Sequence, residues 1–213
     1  MTKFRIAVCI ALVLVCVLCL ASCTSLFDSS DYSLEDVTGT VPPDSELFEE
    51  LEDMLGMLTV NSADIPEFDS MKEAIALFRD SLLNYMSGKN YAKYAGNSAL
   101  IDKVSEKYPE LEVIEVIPML EFESEMYRYF GGSVKITHKD GKIFRYLPDA
   151  DVYVPMTGPI DSGVDIVLSE VNETENTYRL SFTCSTDEVS VDYFAIVVKR
   201  EDGTCYFDAV VKR

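Results

Sequence analysis

The apolar residues of this chain change period near Gly131-Gly132, and that change limits the fold more than any other feature. Upstream they recur at every third or fourth position, the spacing of helices with one buried face. Downstream they alternate, as in half-buried strands. Over 43–58, Leu47, Leu51, Met54, Leu55 and Leu58 lie on one helical stripe, and Ser45 or Asp44 can cap its start. Ser70 and Glu73 form the S-x-x-E pattern that satisfies free N–H groups in a first turn. Ile75, Phe78, Leu82, Tyr85 and Met86 continue that helix to a natural terminator at Gly88. A shorter helix is expected over 98–108, before Pro109. "LEVIEVI" at 111–117 reads as a short strand, and Pro118 suits the first turn of a fourth helix, ending at Gly131-Gly132.

Beyond that point strands dominate. Asp140-Gly141 is a two-residue turn signal, predicting a hairpin over 133–147 with Lys139 opposite Lys142 and His138 opposite Ile143. A short edge strand is expected near 152–154, then strands near 164–171, 177–185, 190–200 and 204–212. In "YRLSFTC", Tyr178, Leu180, Phe182 and Cys184 share one face. "VDYFAIVV" is apolar on both faces and should be central. A simple meander puts Cys184 opposite Val191 and Cys205 opposite Lys199. The two thiols are then too far apart for a disulfide and should be buried and unpaired.

Helices first and a meander afterwards define an α+β chain, with N-terminal helices packed on a curved antiparallel sheet. This order over residues 45–212 resembles the NTF2-like and cystatin-like folds, which implies a sheet wrapped over helices with a concave face. Fold alone does not give function.

The first 22 residues have another purpose. Lys3 and Arg5 precede an unbroken apolar run at 6–20, the length of a signal-peptide core and short for a membrane span. Leu20-Ala21-Ser22-Cys23 resembles the lipobox of bacterial lipoproteins. The resemblance implies cleavage before Cys23 and acylation of its thiol, while Cys9, Cys16 and Cys19 leave with the peptide. Residues 1–22 are thus expected to be a leader, 23–42 a flexible tether rich in Ser, Thr, Asp and Gly, and 43–213 a single domain. A tether of that length would span on the order of 25 Å. The protein is then expected on the extracytoplasmic face of a membrane, held by its lipid.

Removing residues 1–22 with their two bases leaves 191 residues and a formal charge of −21. Such a surface argues against nucleic acid. The stretch 28–73 is the extreme, with 14 acidic residues and one base, Lys72. There is no GxSxG, HExxH, P-loop or GxGxxG. The single histidine, His138, sits beside the Asp140-Gly141 turn and reads as structural. Asp149 and Asp151 form D-x-D, but the EF-hand pattern is absent. No catalytic residue, metal or cofactor is expected.

Aromatic residues cluster around the proline-rich stretch 148–163. Phe144, Tyr146, Tyr153 and Met156 are the candidate surface for an envelope protein or cell-wall partner. The leading expectation is a non-catalytic binding domain, one version being an inhibitor of an envelope enzyme. Secreted inhibitors of cell-wall DL-endopeptidases have a related cystatin-like architecture, and no residue carries over from them. The alternative is a small-ligand protein or enzyme using an NTF2-like pocket, which a buried carboxylate with a raised pKa would favour.

Overall fold

The structure, a computed structural model, describes residues 36–59, 62–132, 135–157, 160 and 163–213. Cys23, the leader and most of the expected tether lie outside the described residues. A two-residue strand, β1 (Gly39–Thr40), precedes helix α1 (Glu46–Leu55), where Ser45 accepts a hydrogen bond from the Phe48 N–H at 3.2 Å. The helix tightens into a 3₁₀ turn, Gly56–Leu58. Helix α2 (Met71–Ala95) starts with Ser70 accepting from the Glu73 N–H at 3.5 Å. Glu73 does not complete the box at Ser70: its carboxylate accepts from the Asp69 N–H instead.

Gly88 does not end α2. The helix runs seven residues further and loses helical geometry only locally, at Asn90 (φ −126°, ψ 26°). Gly88 is compatible with a continuing helix, and Tyr94, 3 % exposed, anchors the extra turns in the core. Helix α3 (Ser98–Lys107) follows, capped by the Asn97 side chain. The strand expected over 111–117 shrinks to β2 (Ile117–Pro118), which leads directly into α4 (Met119–Phe130).

The hairpin expected around Asp140-Gly141 does not form. Residues 135–143 carry no strand, so His138 does not face Ile143 across a ladder, nor Lys139 Lys142. Side chains take the turn's hydrogen bonds. Asp80 on α2 accepts from the Lys142 N–H at 2.7 Å, and Asp140 accepts from the Tyr146 N–H at 2.9 Å. The hairpin lies one step later, between β3 (Phe144–Leu147) and β4 (Val152–Pro155), with Tyr146 opposite Tyr153. Strand β4 is not an edge: β2 pairs with its other side, giving the order β2-β4-β3. The free edge of β3 is covered by the 140–142 turn, whose Gly141 N–H donates to the Phe144 carbonyl.

The meander follows the alternation closely. It comprises β5 (Asp165–Glu173), β6 (Thr177–Ser185), β7 (Ser190–Lys199) and β8 (Cys205–Lys212). All neighbours are antiparallel, in the order β1-β5-β6-β7-β8, so β7 is interior as expected. Cys184 lies opposite Val191 and Cys205 opposite Lys199, and both are free thiols. Cys184 is buried, and burial pushes its thiol up to about 12; Cys205 is only partly buried. The chain is therefore α+β, its described residues forming helices and two antiparallel sheets.

The expected tether boundary at residue 42 moves. The Thr38 and Val41 N–H groups donate to the Glu173 and Val171 carbonyls, and Val41 is 7 % exposed, so the compact unit runs from Val37 to Arg213. Apolar side chains of α1, α2 and α4 bury against one face of β5–β8. Phe78 and Phe130 stack at 5.5 Å, and Phe68 meets both edge-on. Each fully buried side chain of this size contributes ~1.5–3 kcal/mol.

Candidate functional site

The small sheet separates two environments because its side chains alternate. One face carries Phe144, Tyr146 and Tyr153, which turn toward the main core. The other carries Arg145, Leu147, Val152 and Val154, which face a second apolar cluster built around Val104 of α3 and Val116.

On the first face, His138 is held between two partners. Its Nε2 lies 2.9 Å from Glu123 Oε1 on α4, and its Nδ1 lies 2.8 Å from the Tyr153 hydroxyl. A carboxylate can only accept, so Nε2 donates to Glu123, while Nδ1 shares a hydrogen bond with the Tyr153 hydroxyl. Burial raises the Tyr153 pKa, which keeps that hydroxyl a donor. Tyr146 closes the group, its ring 5.1 Å from both His138 and Tyr153, and its hydroxyl donates to Asp151 at 3.0 Å. Both histidine nitrogens are engaged and Tyr153 is wholly buried, so this cluster ties the small sheet to α4.

Two of the four expected partner-binding residues are thus not on the surface. Phe144 is 3 % exposed and Tyr153 is 0 % exposed; both belong to the main core, and the Tyr153 ring lies 5.0 Å from Phe122 of α4. Tyr146 is partly buried. Met156 is 43 % exposed and lines an open groove on the other side of the sheet. The structure therefore groups Tyr146 and Tyr153 in one cluster and puts Met156 elsewhere.

That groove has a volume of about 430 Å³ and runs between residues 110–114 and 154–157. It exists because the chain before β2 splays away from β4 after the Ile117–Tyr153 pair. Leu111, Val113, Ile114 and Met156 form apolar walls, Arg145 reaches in from β3, and Glu110 and Glu112 stand at the rim. Arg145 and Ile114 had escaped sequence reading. The signal for Arg145 lay in the alternation of "FRYL", which puts it on the face opposite Phe144 and Tyr146.

A second groove of about 400 Å³ lies between α2 and α4. Its cations are matched internally: Lys89 pairs with Asp53, Lys93 with Glu121 at 2.5 Å, and Arg128 with Glu125 at 3.3 Å. Each also lies over a tyrosine ring, at 5.3 Å from its centre. This arrangement is a closed set of pairs across the helices.

Among the described residues one carboxyl is buried, that of Glu115, 1 % exposed. Ser87 donates to its Oε2 at 3.0 Å, while Oε1 has no partner. The void beside it measures about 10 Å³, room for roughly one water. Burial raises the Glu115 pKa, partly offset by the Ser87 bond. The folded chain therefore holds this proton more tightly than the unfolded chain. The stability Glu115 contributes is complete below the ordinary carboxyl pKa and is lost as pH rises through the folded value. Glu115→Gln keeps a neutral group of the same shape and should raise the melting temperature relative to wild type increasingly from pH 5 to 8. The gain expected at pH 8 is roughly 1–3 kcal/mol. A difference that stays constant with pH would contradict this account.

Asp149 and Asp151 do not converge: Asp149 pairs with Lys107 at 3.4 Å, and Asp151 accepts from Tyr146. Among the described residues, no three His, Cys, Asp or Glu side chains are placed to hold a metal ion, and no helix is long and apolar enough to cross a membrane. Comparison of the chain with protein-family models, with curated proteins and with solved structures returned no match.

Proposed function

We propose that this chain is a lipid-anchored, extracytoplasmic bacterial lipoprotein whose folded domain is a non-catalytic binding module for an envelope partner. The observation that carries the non-catalytic part is the filled interior. Phe68, Phe78, Phe130 and Phe207 lie in the main core and pack ring against ring. The alternative, a ligand-binding or catalytic cone, is favoured by Glu115 alone, and Glu115 adjoins space for about one water. The single histidine supports the binding reading too, since its nitrogens are already bonded to Glu123 and Tyr153.

The anchor rests on Leu20-Ala21-Ser22-Cys23. Two acyl chains at ~0.8 kcal/mol per buried CH₂ hold a protein on a membrane where one would not. The NTF2-like or cystatin-like description and the envelope-inhibitor version belong to the same reading. They agree with the helices-then-meander order.

Cys23→Ala is expected to abolish labelling by a fatty-acid probe and to leave the leader uncleaved by the lipoprotein peptidase. Acylated protein in the membrane fraction of this variant would refute the anchor. The binding reading is tested by pull-down from solubilised membranes with the intact lipoprotein. Recovery of a saturable partner supports it. Turnover of a substrate by the purified chain, lost on Glu115→Gln, would replace it with the catalytic alternative.

A further inference from the structure

The groove beside the small sheet contains a cation without an acceptor. Arg145 presents five N–H donors, and its guanidinium makes no ion pair or hydrogen bond among the described residues, in a chain with 37 acidic side chains. The exposed lysines need no protein partner because water serves them. Arg145 differs: it is partly buried, and it shares its face with Leu147, Val152 and Val154, all 4 % exposed or less. The buried Arg79 and the partly buried Arg200 both have acceptors. Arg79 donates to the Thr137 carbonyl at 3.1 Å, and Arg200 to the Tyr127 carbonyl at 2.7 Å. Glu110 and Glu112 line the same groove, yet neither reaches ion-pair distance of Arg145.

We propose that this groove binds the free carboxylate end of a peptide whose last residue is apolar. The assignment deepens the binding-module reading and rests on it. A planar guanidinium favours a two-oxygen acceptor, which a carboxylate supplies. The walls beside Arg145 are apolar, with Ile114 at 45 % and Met156 at 43 % exposed. A C-terminal apolar residue carries its carboxylate and its side chain on one carbon, so both needs are met at once. Glu110 and Glu112 set the charge limit. A second negative charge in the groove would meet their carboxylates, which selects a monoanion over a phosphate or a diacid.

The backbone agrees with a chain end. The Met156 N–H donates to the Ile143 carbonyl just before β3, so the Pro155 carbonyl points the other way, toward the chain preceding β2. Pro155 offers a carbonyl there and no N–H, an acceptor for the last amide N–H of the peptide. A volume of about 430 Å³ holds one or two residues.

The test is calorimetric titration of the full chain with acetyl-Ala-Leu, its C-terminal amide, and acetyl-Ala-Glu. The free acid should bind, with the amide and the diacid at least tenfold weaker. Arg145→Gln should weaken the acid at least tenfold without affecting the amide, and Arg145→Lys should fall between. Circular dichroism and melting temperature check that the variants fold, and Ile114→Glu probes the same groove from its apolar wall. Equal binding of acid and amide, no binding of either, or indifference to Arg145→Gln and Ile114→Glu would overturn the assignment. The membrane pull-down separates the two levels. A partner retained by folded Arg145→Gln leaves the binding module standing and removes only the groove, whereas no partner for the wild type removes both.

Discussion

Tyr153→Ala is expected to lower stability by about 3–5 kcal/mol, the range for removing a large aromatic side chain from a core. Tyr153 is 0 % exposed and lies on β4, the middle strand of the small sheet. Its ring sits 5.0 Å from Phe122 and 5.1 Å from Tyr146, and its hydroxyl satisfies His138 at 2.8 Å. Truncation leaves a void at the meeting point of α4, β3 and the 135–142 segment, and strips His138 of one partner. Tyr153→Phe keeps the ring and loses only the hydrogen bond, so about 1 kcal/mol is expected. Met156→Ala, on the exposed groove wall, should change stability by less than about 0.5 kcal/mol. Denaturant unfolding distinguishes these cases. If Tyr153→Ala unfolds at the same midpoint as Met156→Ala, the buried placement of Tyr153 is wrong.

The contrast between these two neighbours shows where sequence reading succeeds and stops. Strands β5–β8 were legible because they are long, alternate or, in β7, run apolar on both faces, and pair with their neighbours in sequence. Even the partners of Cys184 and Cys205 follow from that. Helix α1 was legible through its period and cap, and α3 and α4 through the prolines and glycines that bound them. The small sheet was not. Its strands are two to four residues long, too short for a period, and β2 pairs with a strand far along the chain. Asp140-Gly141 carries the strongest hairpin signal in the sequence, but a side chain on α2 overrides it. A Cβ on Gly141 would lie 1.9 Å from Asp80 Oδ1, so Gly141 is needed for close approach rather than for a two-residue turn. Phe144 and Tyr153 read as a surface because one stood on the expected hairpin and the other in an expected edge strand, and a strand's pattern does not say which face the core covers. Glu115 carried no signal, since a buried acid in "LEVIEVI" has the same pattern as an exposed one.

Gly131→Ala is the second large effect, expected to cost roughly 3–5 kcal/mol from backbone strain and overpacking together. Gly131 ends α4 at φ 67°, ψ −167°, a region that residues with a Cβ rarely enter. A Cβ there would also stand 2.6 Å from the Tyr206 ring on β8. The ring cannot swing away freely, because Arg200 lies over it at 4.8 Å while its guanidinium donates to the Tyr127 and Arg128 carbonyls at the end of α4. Gly131 therefore sits where helix, sheet and β7–β8 turn are locked together. Gly203 supplies the control. It also has positive φ, 85°, but nothing lies within 4 Å of its would-be Cβ, so Gly203→Ala should carry only the conformational cost of about 1–2 kcal/mol. Adding Tyr206→Ala to Gly131→Ala should recover the clash component and leave the strain, bringing the penalty relative to Tyr206→Ala alone down to the Gly203→Ala level. Thermal unfolding of the four variants decides it. Equal losses for Gly131→Ala and Gly203→Ala would mean that Tyr206 does not pack against the end of α4.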